Sequence, residues 1–183
     1  ARGRALPLRA IALPLLVDVE RQVLARHHKT PRQVAHRGRE RGGDAVPDVA
    51  TPEALRAALL AADAVFFPDP ERATAGIHFM KVLRELGIDG DLAARLRPHP
   101  NGAVAMRELA AATSPRPIGC TQITEILYTP GVKLAAPLPR RFELATLYTA
   151  AVATRAADAA IARRFVAMLD SAHALREAGG FES

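Results

Sequence analysis

The tripeptide Thr74-Ala75-Gly76 offers the clearest opportunity for ligand binding, because it lies between a predicted strand and a predicted helix. Residues 64–67 have the length and bulk of a buried strand, and Pro68-Asp69-Pro70 must turn the chain. Apolar residues then recur at helical spacing until Gly87, where a helix would end. A helix start leaves backbone N–H groups unpaired at the positive end of the helix dipole, and small side chains let a ligand approach them. The pattern therefore favours an anion site.

Plain helix packing explains the same small residues, and Thr74 could act only as an N-cap through its hydroxyl. The chain contains neither GxxxxGK[ST] nor GxGxxG, which excludes a P-loop and a dinucleotide fingerprint. It also lacks G-x-S-x-G, H-E-x-x-H and C-x-x-C, so the sequence predicts no catalytic residue, metal site or cofactor, and a protein that is not an enzyme. His78 lies early in the predicted helix, where a packed or half-exposed role is favoured.

Length and composition fit one ordinary domain or two small lobes, since the chain has 183 residues of which 49% are hydrophobic. No apolar run reaches the roughly 20 residues that cross a bilayer, so no transmembrane segment is predicted. Cys120 is the single cysteine, which excludes an internal disulfide and a cysteine-based zinc site. We expect it to be a buried, inert thiol in a strand.

Positive charge is concentrated at the start of the chain. The net charge is +6, and the whole excess lies in residues 1–45 because the remainder carries equal numbers of acidic and basic residues. Residues 27–45 combine low hydrophobicity with high charge, so we expect them to be disordered or loosely held. A nucleic-acid arm is an alternative, although no interleaved aromatic residues favour it. Residues 11–17 are apolar but contain Pro14 and lack an A-x-A site, so no intact signal peptide is predicted.

The rest of the chain alternates between helical and strand patterns. We expect strands at residues 64–67, 96–99, 118–122 and 144–153. We expect helices at residues 52–62, 75–87, 89–96, 103–112, 123–127, 158–169 and 172–178. Strands separated by helices predict an α/β fold with a mostly parallel sheet flanked by helices, and ligands at the carboxyl ends of its strands.

Several motifs resemble type 2 periplasmic solute-binding proteins, in particular the molybdate-binding family. The D-P turn, the T-A-G helix start and the LxxLGI helix end of that family match residues 69–70, 74–76 and 83–88. Residues 118–127 resemble its IGxxQxSE strand and turn, residues 130–139 its PGVxxxGPLP return segment, and residues 172–181 its final helix and GF. The resemblance is nearly continuous from Val46 to Phe181.

This resemblance implies a periplasmic or otherwise extracytoplasmic protein that delivers a small oxyanion such as molybdate to the membrane permease of an ABC transporter. It assigns ligand contacts to backbone N–H groups at Thr74, Ala75, Gly76 and Ala103, and to the Gln122 side chain. Gln122 replaces a tyrosine of the family pattern. Glutamine offers two N–H donors and one acceptor where tyrosine offers one hydroxyl, so the ligand could differ from molybdate.

The resemblance also implies three segments. Residues 1–47 would be an atypical basic segment that is a remnant or replacement of lobe 1, residues 48–133 the ligand-binding lobe 2, and residues 134–183 the return to lobe 1. The serine loops of the family's first lobe do not occur, so we expect an incomplete first lobe and weak binding. Three explanations of residues 1–45 stay open. The chain could be a fragment or an altered reading of a longer gene, it could be a short relative with a rebuilt first lobe, or residues 1–45 could include a basic arm that binds nucleic acid. The alternative is a binding protein of the same fold for a different small ligand, or a fragment that binds no ligand and carries a nonspecific nucleic-acid-binding basic arm.

Overall fold

The computed structural model describes residues 28–37 and 46–181. Its strands are β1 (His28–Arg37), β2 (Ala64–Pro68), β3 (Leu96–His99), β4 (Pro117–Gln122), β5 (Val132–Pro137) and β6 (Ala145–Tyr148). Its helices are α1 (Pro52–Ala61), α2 (Thr74–Glu85), α3 (Asp89–Leu92), α4 (Gly102–Ala111), α5 (Ile123–Leu127), α6 (Ala159–Ser171) and α7 (His173–Ala178). The described residues divide into two units, one of residues 28–37, 46–148 and 172–181, the other of residues 149–171.

A six-stranded mixed sheet forms the larger unit. The strand order is β3-β2-β4-β1-β5, and β6 pairs with β1 beside this path. Strand β2 is parallel to both neighbours, with Val65 opposite Leu96 on β3 and Ile118 on β4. Strand β1 is antiparallel to β4, β5 and β6. The sheet therefore consists of a parallel block, β3-β2-β4, and an antiparallel block joined to it by β1.

Strand β1 contradicts the expectation that residues 27–45 are disordered or loosely held. Val34 and Ala35 are fully buried and His36 is 8% exposed, in a strand with pairing partners on both sides. The prediction of disorder came from the charge and hydrophobicity of residues 27–45 taken together, which did not reveal the short apolar centre at Val34 and Ala35. Residues 28–37 are thus part of the sheet rather than a basic arm, while residues 27 and 38–45 of that segment lie outside the described part of the chain.

Helices cover both faces of the sheet because successive strand residues point in opposite directions. Val65 and Phe67 of β2 belong to one core, which contains the buried residues Leu55, Leu59, Phe79 and Leu83 of α1 and α2. Ala64 and Phe66 belong to a second core with the buried residues Met106, Leu109 and Ile126 of α4 and α5. The predicted α/β fold with helices flanking the sheet is confirmed, with β1 making the sheet mixed.

Most predicted elements occur close to their expected bounds, and Cys120 is buried in β4 as expected. Two strands differ. The strand expected at residues 144–153 is only Ala145–Tyr148, because it pairs with no more than the first four residues of β1 and the other unit begins at Thr149. Strand β5 was not predicted, since its alternation of half-buried and exposed residues is weak. No described helix is long and apolar enough to cross a membrane.

Two substitutions in α2 should separate core from surface. Phe79 is fully buried with its ring centroid 5.4 Å from that of Phe67, so Phe79→Ala should lower the free energy of unfolding by about 3–5 kcal/mol. Ile77 is 48% exposed, and Ile77→Ala should change it by no more than about 0.5 kcal/mol. Urea denaturation followed by circular dichroism measures both. Equal losses would contradict the assignment of the buried face.

Candidate ligand-binding site

Three parallel strands end at one edge of the sheet, and a helix follows each of them. Strand β2 leads into α2, β3 into α4 and β4 into α5. Helices α2 and α4 have 12 and 10 residues, enough to carry a dipole whose positive end lies at this edge. Backbone N–H groups of their first turns have no partner within the helix. The edge can therefore present donors to an anion.

The start of α2 has no capping side chain. Its N-cap residue is Ala73, and Thr74 is the exposed first helical residue, so the N-cap role considered for Thr74 is wrong. Ala75 and Gly76 follow and are buried. The preceding loop is ordered by Asp69, whose Oδ1 accepts hydrogen bonds from the backbone N–H groups of residues 71 (2.8 Å) and 72 (2.9 Å).

Gly76 lies against the end of β2. A Cβ placed on it would be 2.2 Å from the carbonyl oxygens of both Pro68 and Asp69. These are backbone atoms, so they cannot yield as a flexible side chain would. The missing side chain therefore lets α2 approach the strand end, and a bulky residue at this position would displace the helix before it filled any ligand approach.

The start of α4 carries a side-chain cap. Asn101 Oδ1 accepts a hydrogen bond from the N–H group of Val104 (2.9 Å), which leaves the amides of Gly102 and Ala103 as the free donors of the first turn. Gly102 is buried and Ala103 is half-buried. A Cβ on Gly102 would be 2.0 Å from Glu125 Oε2 and 2.1 Å from Thr121 Oγ1. The side chains of Thr121 and Glu125 therefore lie directly on the helix start.

Gln122 connects the end of β4 to β6. Its Nε2 donates a hydrogen bond to Thr146 Oγ1 (3.0 Å), and its Oε1 accepts one from the Tyr148 hydroxyl (3.2 Å). The Tyr148 ring in turn contacts the edge of Phe181, with centroids 5.7 Å apart. The half-buried Gln122 amide thus has structural partners already. A tyrosine hydroxyl is still present next to it, supplied by a different strand.

A groove of about 610 Å³ lies beside the start of α4. Of the predicted site residues, Ala103 lines it, together with Arg107 and Glu125 and the apolar side chains of Leu127, Tyr128 and Phe181. This volume is in the range of small-molecule sites, which are mostly apolar with a few polar groups. A second cavity of about 380 Å³, beside the ends of β2 and β3, is lined by Asp69, Arg72 and His99.

Other polar groups near this edge have structural roles. His78 is half-buried, and its Nε2 donates a hydrogen bond to the Phe142 carbonyl (2.8 Å), in agreement with the packed role favoured for it. Within residues 28–37 and 46–181, no group of three His, Cys, Asp or Glu side chains could hold a metal ion. Sequence reasoning missed the pairing of Thr121 with Glu125. The sequence shows one sign of this pairing, which is that the two residues are four positions apart across the junction of strand and helix.

Comparison with known protein families matches residues 24–181 to the bacterial extracellular solute-binding proteins. The chain belongs to this family. Its fold is similar to that of a Clostridium difficile domain described as the substrate-binding domain of a putative molybdenum ABC transporter, with a TM-score of 0.61 and 14% identity over 85% of this chain and 64% of that one. The resemblance to type 2 periplasmic solute-binding proteins is thereby confirmed.

Two further relatives bear on the family assignment. The periplasmic molybdate-binding protein of Azotobacter vinelandii has a TM-score of 0.53 and 16% identity, over 85% of this chain and 68% of that chain. A curated relative, aconitate isomerase from a Pseudomonas species, is 25% identical over 146 residues, which are 76% of this chain and 52% of that protein. This chain therefore spans about half the length of the curated relative it matches.

Glycine should be required at position 76 but not at position 90. Gly76→Ala places a Cβ against two backbone carbonyls and should cost about 1–3 kcal/mol or more. A Cβ on Gly90 in α3 would meet no heavy atom within 4 Å, so Gly90→Ala should be neutral or stabilise by up to about 1 kcal/mol. Denaturant unfolding gives both values. A tolerated Gly76→Ala would refute the close approach of α2 to β2.

Asp69 should make the loop before α2 sensitive to acid. Amide donors of Glu71 and Arg72 hold the pKa of Asp69 below its usual range. The stability it contributes is then present above the ordinary aspartate pKa of about 3.9 and is lost as pH falls through the lowered value. Asp69→Asn should therefore lower Tm at pH 7, and the gap to wild type should close in strong acid.

Thermal unfolding of both proteins across this pH range measures the effect. Asp48→Asn is the matched control, because within the described part of the chain Asp48 Oδ1 accepts one amide hydrogen bond, from Ala50, outside the site. At pH 7 this substitution should lower Tm by less than Asp69→Asn does. A gap for Asp69→Asn that persists unchanged in acid would show that the charge of Asp69 does not order the loop.

Proposed function

We propose that this chain is the ligand-binding part of an extracytoplasmic solute-binding protein that holds a small oxyanion, such as molybdate, and delivers it to the permease of an ABC transporter. The observation that carries the proposal is the arrangement of α2 and α4, whose N-termini open at the same edge of the parallel block. Two solved structures with a similar fold are described as binding proteins for molybdate or of a putative molybdenum transporter. The proposal includes a periplasmic or otherwise extracytoplasmic location, which the description of the family as extracellular supports.

Oxyanion binding at such an edge needs no buried counter-ion. Several preorganised N–H dipoles at helix starts can match the oxygens of a tetrahedral anion and avoid the desolvation of an ion pair. In the proposal, the Ala75 and Gly76 amides with Thr74 serve at α2, and the Ala103 amide serves at α4. Gln122 would donate to the ligand the Nε2 hydrogen that does not bond to Thr146, and its Oε1 accepts a hydrogen bond from the Tyr148 hydroxyl.

The binding role is favoured over catalysis because the matching family is described as solute-binding proteins, whereas the relative named as an isomerase is 25% identical. We also propose that residues 48–133 form lobe 2 and that residues 134–183 return toward a first lobe begun by residues 1–47. With donors from one lobe alone, the chain as given should bind oxyanions in the millimolar range.

A different small ligand is the second candidate. The groove beside α4 is larger than a tetrahedral oxyanion requires and is mostly apolar, with the Arg107 guanidinium as a cation in its lining. Such a lining suits an organic anion whose carboxylate pairs with arginine. The curated relative is named for aconitate, an organic acid. A carboxylate ligand could use the Ala103 amide and Arg107 together, which a small inorganic anion would not need.

Removal of one amide donor tests the site. Ala103 is the second helical residue of α4, so Ala103→Pro deletes an N–H group that makes no helical hydrogen bond. Loss of a hydrogen bond to a charged ligand costs about 1.5–3 kcal/mol, so the affinity should fall about tenfold or more. Ala159→Pro, at the first position of α6 in the other unit, is the matched proline control and should leave affinity unchanged.

Titration calorimetry with molybdate, tungstate, sulfate, phosphate and citrate measures these affinities. Binding of tetrahedral anions with an affinity that Ala103→Pro lowers supports the oxyanion site. Binding of citrate but of no tetrahedral anion, with an affinity that falls when Arg107 is replaced, favours the organic-anion candidate. Oxyanion affinity that Ala103→Pro leaves unchanged would show that the α4 amide takes no part.

A further inference from the structure

Two side chains of β6 hold the amide group of Gln122 by its two ends. Thr146 and Tyr148 are two positions apart on this strand, so they point to the same face of the sheet. Gln122 Nε2 donates to Thr146 Oγ1 over 3.0 Å, and the Tyr148 hydroxyl donates to Gln122 Oε1 over 3.2 Å. Gln122 is also the N-cap residue of α5, but its side chain makes no capping hydrogen bond there. The amide is therefore held by the strand and not by the helix.

The orientation of a glutamine amide depends on contacts of this kind. Its terminal torsion has broad minima, so rotation exchanges the positions of the oxygen and the nitrogen at little cost. The Thr146 hydroxyl can donate or accept, and it suits either end of the amide. The phenol of Tyr148 is more acidic than an aliphatic alcohol and is the stronger donor, so it favours the carbonyl oxygen. Tyr148 therefore decides which end of the amide faces which residue of β6.

The Tyr148 hydroxyl is itself fixed in place by its surroundings. The backbone of Tyr148 pairs with His28 of β1, and its ring meets the edge of the Phe181 ring, with centroids 5.7 Å apart and planes at 67°. An edge-to-face pair of this kind is favourable and directional. The Tyr148 side chain is 44% exposed, so removal of its hydroxyl alone should disturb the core little.

We infer that Tyr148 is a positioning residue of the proposed oxyanion site. Its hydroxyl holds Gln122 Oε1, and this leaves the second Nε2 hydrogen, rather than the carbonyl oxygen, for the ligand. The inference rests on the proposed function, in which Gln122 donates to an oxyanion. Tyr148 acts through Gln122 and does not touch the ligand. Without the Tyr148 hydroxyl, the amide is free to turn its oxygen toward the anion, where the lone pairs of the two groups repel each other.

A double-mutant cycle tests this role through the affinity for molybdate, or for whichever of tungstate, sulfate and phosphate binds wild type more tightly. Tyr148→Phe retains the ring and removes the hydroxyl, so the affinity should fall about threefold to tenfold. Gln122→Met retains the length of the side chain and removes the amide, so the affinity should fall about tenfold or more. The double variant should bind as Gln122→Met does, because a positioning residue has no effect once the group that it positions is gone.

Titration calorimetry on the whole chain gives the four affinities, and thermal unfolding shows whether each variant is folded. Ser171→Ala is the control for the loss of a hydroxyl. Ser171 Oγ donates to the Met168 carbonyl within α6, outside the site, so this variant should bind as wild type does.

The outcomes separate the inference from the proposed function. If Tyr148→Phe binds as tightly as wild type, the inference is overturned while the oxyanion site stands, and this result does not depend on whether Gln122→Met folds. A further loss of affinity in the double variant shows that Tyr148 contacts the ligand or only supports β6, and it also overturns the inference. Wild type that binds none of the four anions overturns the proposed function and the inference together.

Discussion

The pairing of β1 with β4 is the interaction on which the rest of the sheet depends. It joins the parallel block, which carries the helix starts, to β5 and β6 on the other side. Val34, opposite Cys120, belongs to the core between the sheet and α1 and α2, while Ala35, opposite Gly119, belongs to the core under α4. One short strand therefore contributes to both layers of packing. Its partner β6 also supplies the two side chains that hold Gln122 at the end of β4.

Local pattern predicted most of the fold, since the helices and parallel strands carry clear periodicity and turn residues. Strand β1 could not be predicted in this way, because its polar and basic residues surround an apolar centre that only pairing on both sides buries. The small residues of Thr74-Ala75-Gly76 were predicted to let a ligand approach the helix start, whereas at Gly76 the backbone carbonyl groups at the end of β2 take the space of the missing side chain. Which atoms approach it depends on how α2 lies against β2, and that is a tertiary property.

The candidate site was predicted less completely than the fold. Sequence reasoning found the helix starts, because small residues after a strand are visible in the chain. It assigned Gln122 to the ligand but could not foresee Thr146 and Tyr148, which lie more than twenty residues away and meet it only through β1. For the same reason it did not predict the pairing of Thr121 with Glu125. The contact of Thr121 with Glu125 forms only when β4 passes directly into α5.

Gly76 and Gly102 differ in which atoms occupy the space beside the start of a helix. Each lies in the first turn of a helix, and in each case neighbouring oxygen atoms occupy the space of the missing Cβ. At Gly76 these oxygens belong to the backbone, so the geometry of α2 is fixed by the strand end and cannot be tuned without moving the helix. At Gly102 they belong to side chains that substitution can exchange. Substitutions beside the start of α4 can therefore exchange its polar groups while the sheet stays the same, whereas substitutions at the start of α2 move the helix itself.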